Sequence, residues 1–513
     1  MKGRMRFPFY PFLVAVYPVV RLYSINQDLV VPVVFLRPLF VAVLLAAVLL
    51  GLSRLFLKDW SRAAIFSSLC LAIFFFFQPM CNFVHNWIRI RFALAILGMI
   101  VVSLIFILRR AGEHNVRQVG KVIAVFAVGL LIVPSVTALS SIVSSCINDA
   151  GYKQWAAVLD LEGKKAQRWK GVPEKSAPDI YYIILDMYAR DDVLKKDFNF
   201  DNSRFLKSLS AKGFFVARHS QSNYHKTLWS LASSLNMDYL PALGRDCVED
   251  DALLVHKIER NKVSSALKHI GYKYIFMRSG WHVTGRSYYA NKNLYRIYDL
   301  NEFERVLLDQ TMLGGYINDL MRDQVLWQFE CLERVNRIKG PKFVFAHIVC
   351  PHEPYLFDDR GYEPSIGENG AKDAGDNNAR LYVKQLEYVN KRVSKIVDTI
   401  ITGSDRPPII ILQADHGAYR PDYAREWNSA KATGLTDKYI QNVFSDRVRI
   451  FNAYYLPGAK PELIYDGISP VNSFRIVFNY YFGADYKLLK DISYVPRSGQ
   501  SATQQSAKHL RAY

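Results

Sequence analysis

Polar and apolar positions follow two different patterns along this chain. In the first part they do not alternate at all: uncharged runs cover residues 38–53, 63–84, 92–108 and 122–148. A bilayer core takes roughly 20 residues of helix, so each run is read as a spanning helix. Residues 33–36 extend the first run past Arg37, which sits where it can snorkel, and Pro134 predicts a kink in the last. Residues 7–20 form a fifth, weaker candidate, short and carrying Pro8, Pro11 and Pro18. Lys2, Arg4 and Arg6 ahead of it also fit a signal peptide, but no small-residue cleavage site follows, so a retained helix is preferred.

From Pro178 onward short apolar runs alternate with helical periodicity. Residues 179–185, 273–277, 342–349, 408–413 and 448–456 read as buried strands, rich in β-branched and aromatic side chains. Residues 228–237, 262–270 and 381–402 read as helices between them. This alternation predicts an α/β sandwich with a mostly parallel central sheet. The expected organisation is a helical membrane domain over 1–146, a polar juxtamembrane linker over 147–177, a catalytic domain over 178–488 and a polar tail over 489–513.

Charge orients the first part. With five spans and the N-terminus inside, the inner segments carry Lys2, Arg4, Arg6, Arg54, Lys58, Arg62, Arg109, Arg110, Arg117 and Lys121, and the outer loops carry Arg21, Arg89 and Arg91. That bias puts the C-terminal part outside the cytoplasm. It also accounts for part of the net charge of +19, and with no basic helix, zinc finger or stacking platform in sight, nucleic acid is not an expected partner. The mean hydropathy, near zero at +0.01, averages two unlike materials. Six cysteines form no C-x-x-C pair; Cys247 and Cys331 are open to a disulfide or to remaining free thiols.

Residues with chemistry collect just downstream of the strands. Asp186 follows 183–185, His352 lies in Pro351-His-Glu-Pro354 after the 342–349 run, and Asp415-His416-Gly417 follows 409–413. Open α/β sheets bind ligands outside the carboxyl ends of their strands. Two carboxylates and an imidazole there suit a divalent metal. Thr227 stands at the predicted start of a helix, whose free N–H groups suit an oxyanion. His347 lies inside a strand and is read as structural. His219, His225 and Lys226 near Thr227 are read as ordinary loop residues.

The order Ile184-Leu-Asp186, Thr227, Pro351-His352 and Ala414-Asp-His-Gly417 resembles the alkaline phosphatase superfamily. Within it the likeness is to membrane-anchored sulfatase-like proteins of the lipoteichoic acid synthase and phosphoethanolamine transferase type. The resemblance implies metal ligation by Asp186, Thr227, Asp415 and His416, with Thr227 as nucleophile and His352 near the transferred phosphoryl group. More loosely, it implies substrate contacts from Trp281 and His282, with Arg286 as a further anion clamp. Arylsulfatase activity is disfavoured: Thr227-Leu-Trp-Ser is not a formylglycine motif, and Asp186 is followed by Met187 rather than a second Asp. After His416 only His509 remains, so one metal ion is expected rather than two. Two carboxylates, a hydroxyl and one imidazole favour Mn²⁺, with Zn²⁺ as the alternative.

The function so implied is transfer of a phospho-headgroup, phosphoglycerol or phosphoethanolamine, from a phospholipid donor to an envelope glycan or glycolipid. The expected location is the bacterial inner membrane, multi-pass, with the catalytic domain periplasmic or extracellular. The alternatives are a sulfatase-like hydrolase of phosphate or sulfate esters and an inactive envelope-assembly scaffold.

Overall fold

The computed structural model describes residues 7–27, 32–84, 90–147, 150–169, 177–243, 251–364, 374–421, 444–496 and 510–512. The chain divides into two compact units, Met1–Asp149 with Leu300–Ile317, and Ala150–Asp299 with Asn318–Tyr513.

The first unit is helical: Tyr10–Ile25, Leu36–Leu57, Trp60–Phe75, Phe77–Val84, Ile90–Arg110 and Glu113–Ile147. Among the described residues, Pro32–Leu57 and Glu113–Val143 are long and apolar enough to cross a bilayer, while Tyr10–Ile25 and Trp60–Phe75 are apolar but shorter. Pro134 is accommodated inside the long Glu113–Ile147 helix. Small side chains take part in the helix contacts: Ala15, Ala42 and Ala46 are buried beside Leu71 and Phe75, and Ala63 and Ala64 are buried too, whereas Phe40, Leu55, Val125 and Val133 are exposed. Small residues let helix backbones approach closely, which is how helices associate in an apolar solvent.

Leu300–Ile317, expected within the catalytic domain, clusters with these helices. Its helix Glu302–Asp309 buries Phe303 and Leu307 in the cluster that holds Leu22, Tyr23 and Phe75. Asn301 caps it, accepting from the Glu304 N–H at 3.0 Å. Buried Glu304 forms a two-pronged ion pair with Arg37, so that arginine is matched by a carboxylate rather than left to snorkel.

In the second unit seven strands form one sheet. They are β1 (Ile180–Leu185), β2 (Phe215–Val216), β3 (Lys273–Met277), β4 (Lys292–Leu294), β5 (Lys342–Ile348), β6 (Ile409–Gln413) and β7 (Asn452–Tyr455), in the order β2-β7-β6-β1-β5-β3-β4. The pairs from β6 to β4 are parallel, and β7 runs antiparallel to both β6 and β2. The mostly parallel expectation holds, with an antiparallel edge that makes the sheet mixed.

Every residue of β1 is buried, and its side chains alternate between two cores. Ile180, Tyr182 and Ile184 join Phe343, Phe345, Ile409 and Ile411 against the helices Thr227–Asn236 and Pro470–Phe482. Tyr181, Ile183 and Leu185 join Val344, Ile410 and Leu412 against Ala374–Gly403. A strand buried on both faces shows no polar alternation, which is why β1, β5 and β6 read as continuous apolar runs.

Parts of two expected margins carry structure among the described residues. The range 147–177 contains the helix Ala150–Ala166, whose Trp155, Leu159 and Ala166 are buried in the core. Its polar positions are one face of an amphipathic helix rather than a solvated linker. In the range 489–513, Val495 is buried and Tyr494 stacks on Tyr224 with ring centroids 5.3 Å apart. Cys331 is a free thiol; Cys247 lies outside the described residues.

Candidate active site

Period-two arithmetic builds the site. On β1 the face carrying Ile180, Tyr182 and Ile184 continues to Asp186; on β6 the face carrying Ile409 and Ile411 continues to Gln413 and Asp415. On β5 Phe343 and Phe345 are followed on the same face by His347. These strands are neighbours in the order β6-β1-β5, so Asp415, Asp186 and His347 emerge side by side at the carboxyl edge, on the face that packs the Thr227–Asn236 helix. One ligand atom from each lies within 4.8 Å of the other two, and all three residues are fully buried.

Two local features set the turns that follow the strands. Met187 takes φ 64°, an unusual conformation for a non-glycine residue, and donates its N–H to Asp415 Oδ1 at 3.2 Å. Tyr382 holds that turn, donating its hydroxyl to the Met187 carbonyl and accepting the Ala189 N–H, at 2.8 and 3.1 Å. Such strain persists where the surroundings over-determine it. After β6, Gly417 passes so close to the next segment that a Cβ would meet the Arg449 carbonyl at 2.6 Å.

His416 brings the threonine in. Its Nε2 lies 3.2 Å from Thr227 Oγ1, 3.4 Å from Asp415 Oδ2 and 3.6 Å from Asp186 Oδ1. Its Nδ1 lies 3.1 Å from the Gly417 carbonyl, an acceptor only, so the proton sits on Nδ1 and the Nε2 lone pair faces the cluster. Burial and the adjacent Arg447 push the His416 pKa well down, which keeps the ring neutral.

The carboxylates are pushed apart. Burial, then the charge of Asp186, raises the Asp415 pKa to about 7. Burial works upward on Asp186 too, but His352, with His347 beside it, outweighs it and holds that carboxyl below the usual range. Asp186 Oδ1 and Oδ2, Asp415 Oδ2 and His347 Nε2 are buried without a hydrogen-bond partner among the described residues. Buried polar atoms are ordinarily paired. Four convergent acceptor-type atoms left orphaned are what a divalent cation satisfies, so the donor set fits one.

The remaining expected residues are spread around this cluster. Half-buried His352 has its ring 6.3 Å from that of His416 and 5.7 Å from that of Trp281, and its Nδ1 meets the Glu353 carbonyl at 2.6 Å. Burial opposes its charge, but Asp186 and Glu353 prevail and raise its pKa. The Trp281 indole stacks near His282 and keeps a buried Nε1 donor without a hydrogen-bond partner among the described residues. Arg286 is exposed, its guanidinium 4.0 Å over the Tyr288 ring, and makes no contact with the cluster among the described residues. His219 is exposed, and His225 packs against Trp229 and Phe444.

His347, read as structural from the sequence, stands in the cluster as the last apolar-face position of β5, in step with Phe343 and Phe345, and Arg447 was not singled out at all. Buried Arg447 gives its Nη2 to His416 Nε2 at 3.3 Å and its Nε to the His225 carbonyl at 2.9 Å, putting a guanidinium against His416. It lies before a strand in a charged stretch, and no local pattern marks it.

The parallel part of the sheet thus carries a buried Asp/His/Asp cluster at its carboxyl edge, next to a threonine at a helix start. The family model described as Sulfatase matches residues 178–465. The chain therefore belongs to the sulfatase family and is a sulfatase-like enzyme. No curated protein sequence matches it. Among solved structures it is similar to the C-terminal periplasmic domain of EptC from Escherichia coli (12 % identity, 67 % of this chain and 95 % of that one, TM-score 0.43). It is also similar to the lipooligosaccharide phosphoethanolamine transferase EptA from Neisseria meningitidis (13 % identity, 89 % and 94 %, TM-score 0.38). A third likeness is to the lipoteichoic acid synthase LtaP from Listeria monocytogenes (11 % identity, 65 % and 83 %, TM-score 0.41).

Proposed function

We propose that this protein is a membrane-anchored, metal-dependent phosphotransferase. It moves a phospho-headgroup, phosphoglycerol or phosphoethanolamine, from a phospholipid to an envelope glycan or glycolipid through Thr227. About five N-terminal helices anchor it in a bacterial inner membrane, with the catalytic domain on the far side from the cytoplasm. The observation that carries the reading is Thr227 Oγ1 standing 3.2 Å from a neutral His416 Nε2, beside two buried carboxylates of which Asp186 Oδ1 and Oδ2 and Asp415 Oδ2 lack hydrogen-bond partners among the described residues.

Asp186, Thr227, Asp415 and His416 would hold the cation, three oxygen donors and one nitrogen, a set that suits Mn²⁺ or Zn²⁺. When bound, the ion supplies the positive charge that lowers the threonine hydroxyl pKa and polarises a phosphoryl oxygen. Thr227, having lost its proton to solvent, attacks phosphorus. The Thr227 Oγ1–P bond forms as the bond from phosphorus to the diacylglycerol oxygen breaks. His352, whose raised pKa keeps it protonated, gives its proton to that leaving oxygen. The acceptor hydroxyl then attacks phosphorus, passes its proton to His352, and displaces Thr227. The N–H groups at the start of the Thr227–Asn236 helix and the Arg447 guanidinium face the charge that develops on the phosphoryl oxygens.

Mass spectrometry of a trapped adduct on Thr227 tests the nucleophile, because the adduct mass names the transferred group. Incubation with a fluorescent-headgroup lipid, with and without glycan acceptor, tests the transfer. Product found only as free headgroup phosphate, whatever the acceptor, replaces the transferase with a hydrolase.

A further inference from the structure

We infer that His347 is a further side-chain ligand of the cation and turns the site toward Zn²⁺ rather than Mn²⁺. This rests on reading the cluster as a metal site. The evidence is in how His347 meets Asp186. Its Nε2 comes within 3.2 Å of Asp186 Oδ2, and both atoms are buried without a well-aligned hydrogen bond among the described residues. A structural histidine paired with a carboxylate would point its proton at the acceptor and satisfy both atoms. Two close, fully buried polar atoms that face each other without bonding leave room for a shared positive ion between them.

The far side of the ring is built like an outer ligand shell. His347 Nδ1 lies 2.7 Å from Thr284 Oγ1, which lies 2.6 Å from Ser279 Oγ. Ser279 Oγ in turn accepts the Trp281 N–H at 3.0 Å. Gln328 Nε2 donates to the His347 carbonyl at 3.0 Å and fixes the backbone beneath it. A metal-bound histidine characteristically commits its other ring nitrogen to such a partner, which fixes the tautomer and the ring orientation. With Nδ1–H donating to Thr284 Oγ1, Nε2 keeps its lone pair toward Asp186 and Asp415. With His347 included, the donors are two imidazoles, two carboxylates and a hydroxyl. A second imidazole shifts the set from oxygen-rich toward the nitrogen-containing spheres that suit Zn²⁺.

The test uses the full chain in detergent. Zn²⁺ and Mn²⁺ affinities are measured by competition with a chelating fluorophore for the unmodified protein, His347→Gln and Asp415→Asn. The expected result is a preference for Zn²⁺ in the unmodified protein, and a loss of Zn²⁺ affinity of about 10- to 100-fold in His347→Gln, the range typical of shell residues. Asp415→Asn should lose both ions. X-ray absorption at the zinc edge on the unmodified protein needs no variant to fold, and it should count two imidazoles. One imidazole, or unchanged Zn²⁺ affinity in His347→Gln, overturns the role of His347 while leaving the metal site standing. Failure of the unmodified protein to bind either ion overturns the metal site itself.

Discussion

The two units solve opposite packing problems. In the N-terminal unit large apolar side chains stand outside as well as inside: Ala46, Ala63 and Phe75 are buried while Val125 is 74 % and Val133 71 % exposed. In the catalytic unit Phe276, Phe343, Tyr182 and Tyr274 are inside, and a buried Asp186/His347/Asp415 group sits at one strand edge. The first arrangement suits a medium as apolar as the side chains themselves; the second suits water, where large apolar area must be hidden. An apolar exterior that marks an interaction surface on a soluble protein is here the ordinary outer face of the unit.

Experiments that break this contrast have a clear order of size. Thr227→Ala should lower transfer activity by about 10³-fold or more, the scale for removing a nucleophile, without lowering thermal stability, since its hydroxyl supports chemistry rather than packing. Equal activity in the variant, measured with the fluorescent lipid, would remove the threonine from the mechanism.

Val133→Arg tests the outer face of the other unit. A charged side chain at the centre of a spanning helix costs about 2.5–3.5 kcal/mol, so membrane insertion, followed by protease protection, should fall. The same change at exposed Tyr362 of the catalytic unit should leave insertion and stability nearly untouched. Equal tolerance at both positions would erase the distinction between the two exteriors.

Gly417→Ala probes the backbone approach that orients His416. Its Cβ would press on the Arg449 and Arg447 carbonyls, at 2.6 and 3.0 Å, and backbone cannot swing away. A loss of about 1–3 kcal/mol in thermal or denaturant unfolding is expected, together with weaker metal binding.

The smallest effect concerns protons. Asp415 holds its proton up to about pH 7 in the metal-free site. A cation needs the carboxylate ionised, so binding should release close to one proton below pH 7 and progressively less above it. Affinity should therefore climb by up to about tenfold per pH unit below 7 and flatten beyond. The sign for folding follows from the same shift. The folded carboxyl binds a proton that the unfolded one gives up near pH 4, so Asp415 alone makes the metal-free protein lose stability as pH rises from about 4 to 7. Calorimetry in buffers of different ionisation enthalpy reads the released proton; a count that does not change with pH would contradict the shifted carboxyl.

Several parts of this protein were open to reading from residues alone. The runs at Ile180–Leu185, Lys342–Ile348 and Ile409–Gln413 announced buried strands because a strand covered on both faces has no polar alternation to blur it. Asp186, Asp415 and His416 stood out because each interrupts such a run where a sheet exposes its carboxyl edge. Thr227 stood out because a helix begins there. The amphipathic helix Ala150–Ala166 was missed because its apolar stripe of Trp155 and Leu159 is sparse among lysines and acids. Helix Glu302–Asp309 was assigned by sequence neighbourhood, whereas its partners are Arg37, Leu22 and Tyr23, far away along the chain.

Local composition and periodicity determined the helices, the strands and the residue types able to do chemistry, because those depend on side chains a few positions apart. Tertiary structure alone decided the order β6-β1-β5, which aligns Asp415, Asp186 and His347 on one face. It also decided that Arg447 reaches His416, and that Leu300–Ile317 leaves its sequence neighbours for the helical unit. These are long-range pairings, set by which buried faces complement one another in space, and no short stretch of sequence carries that information.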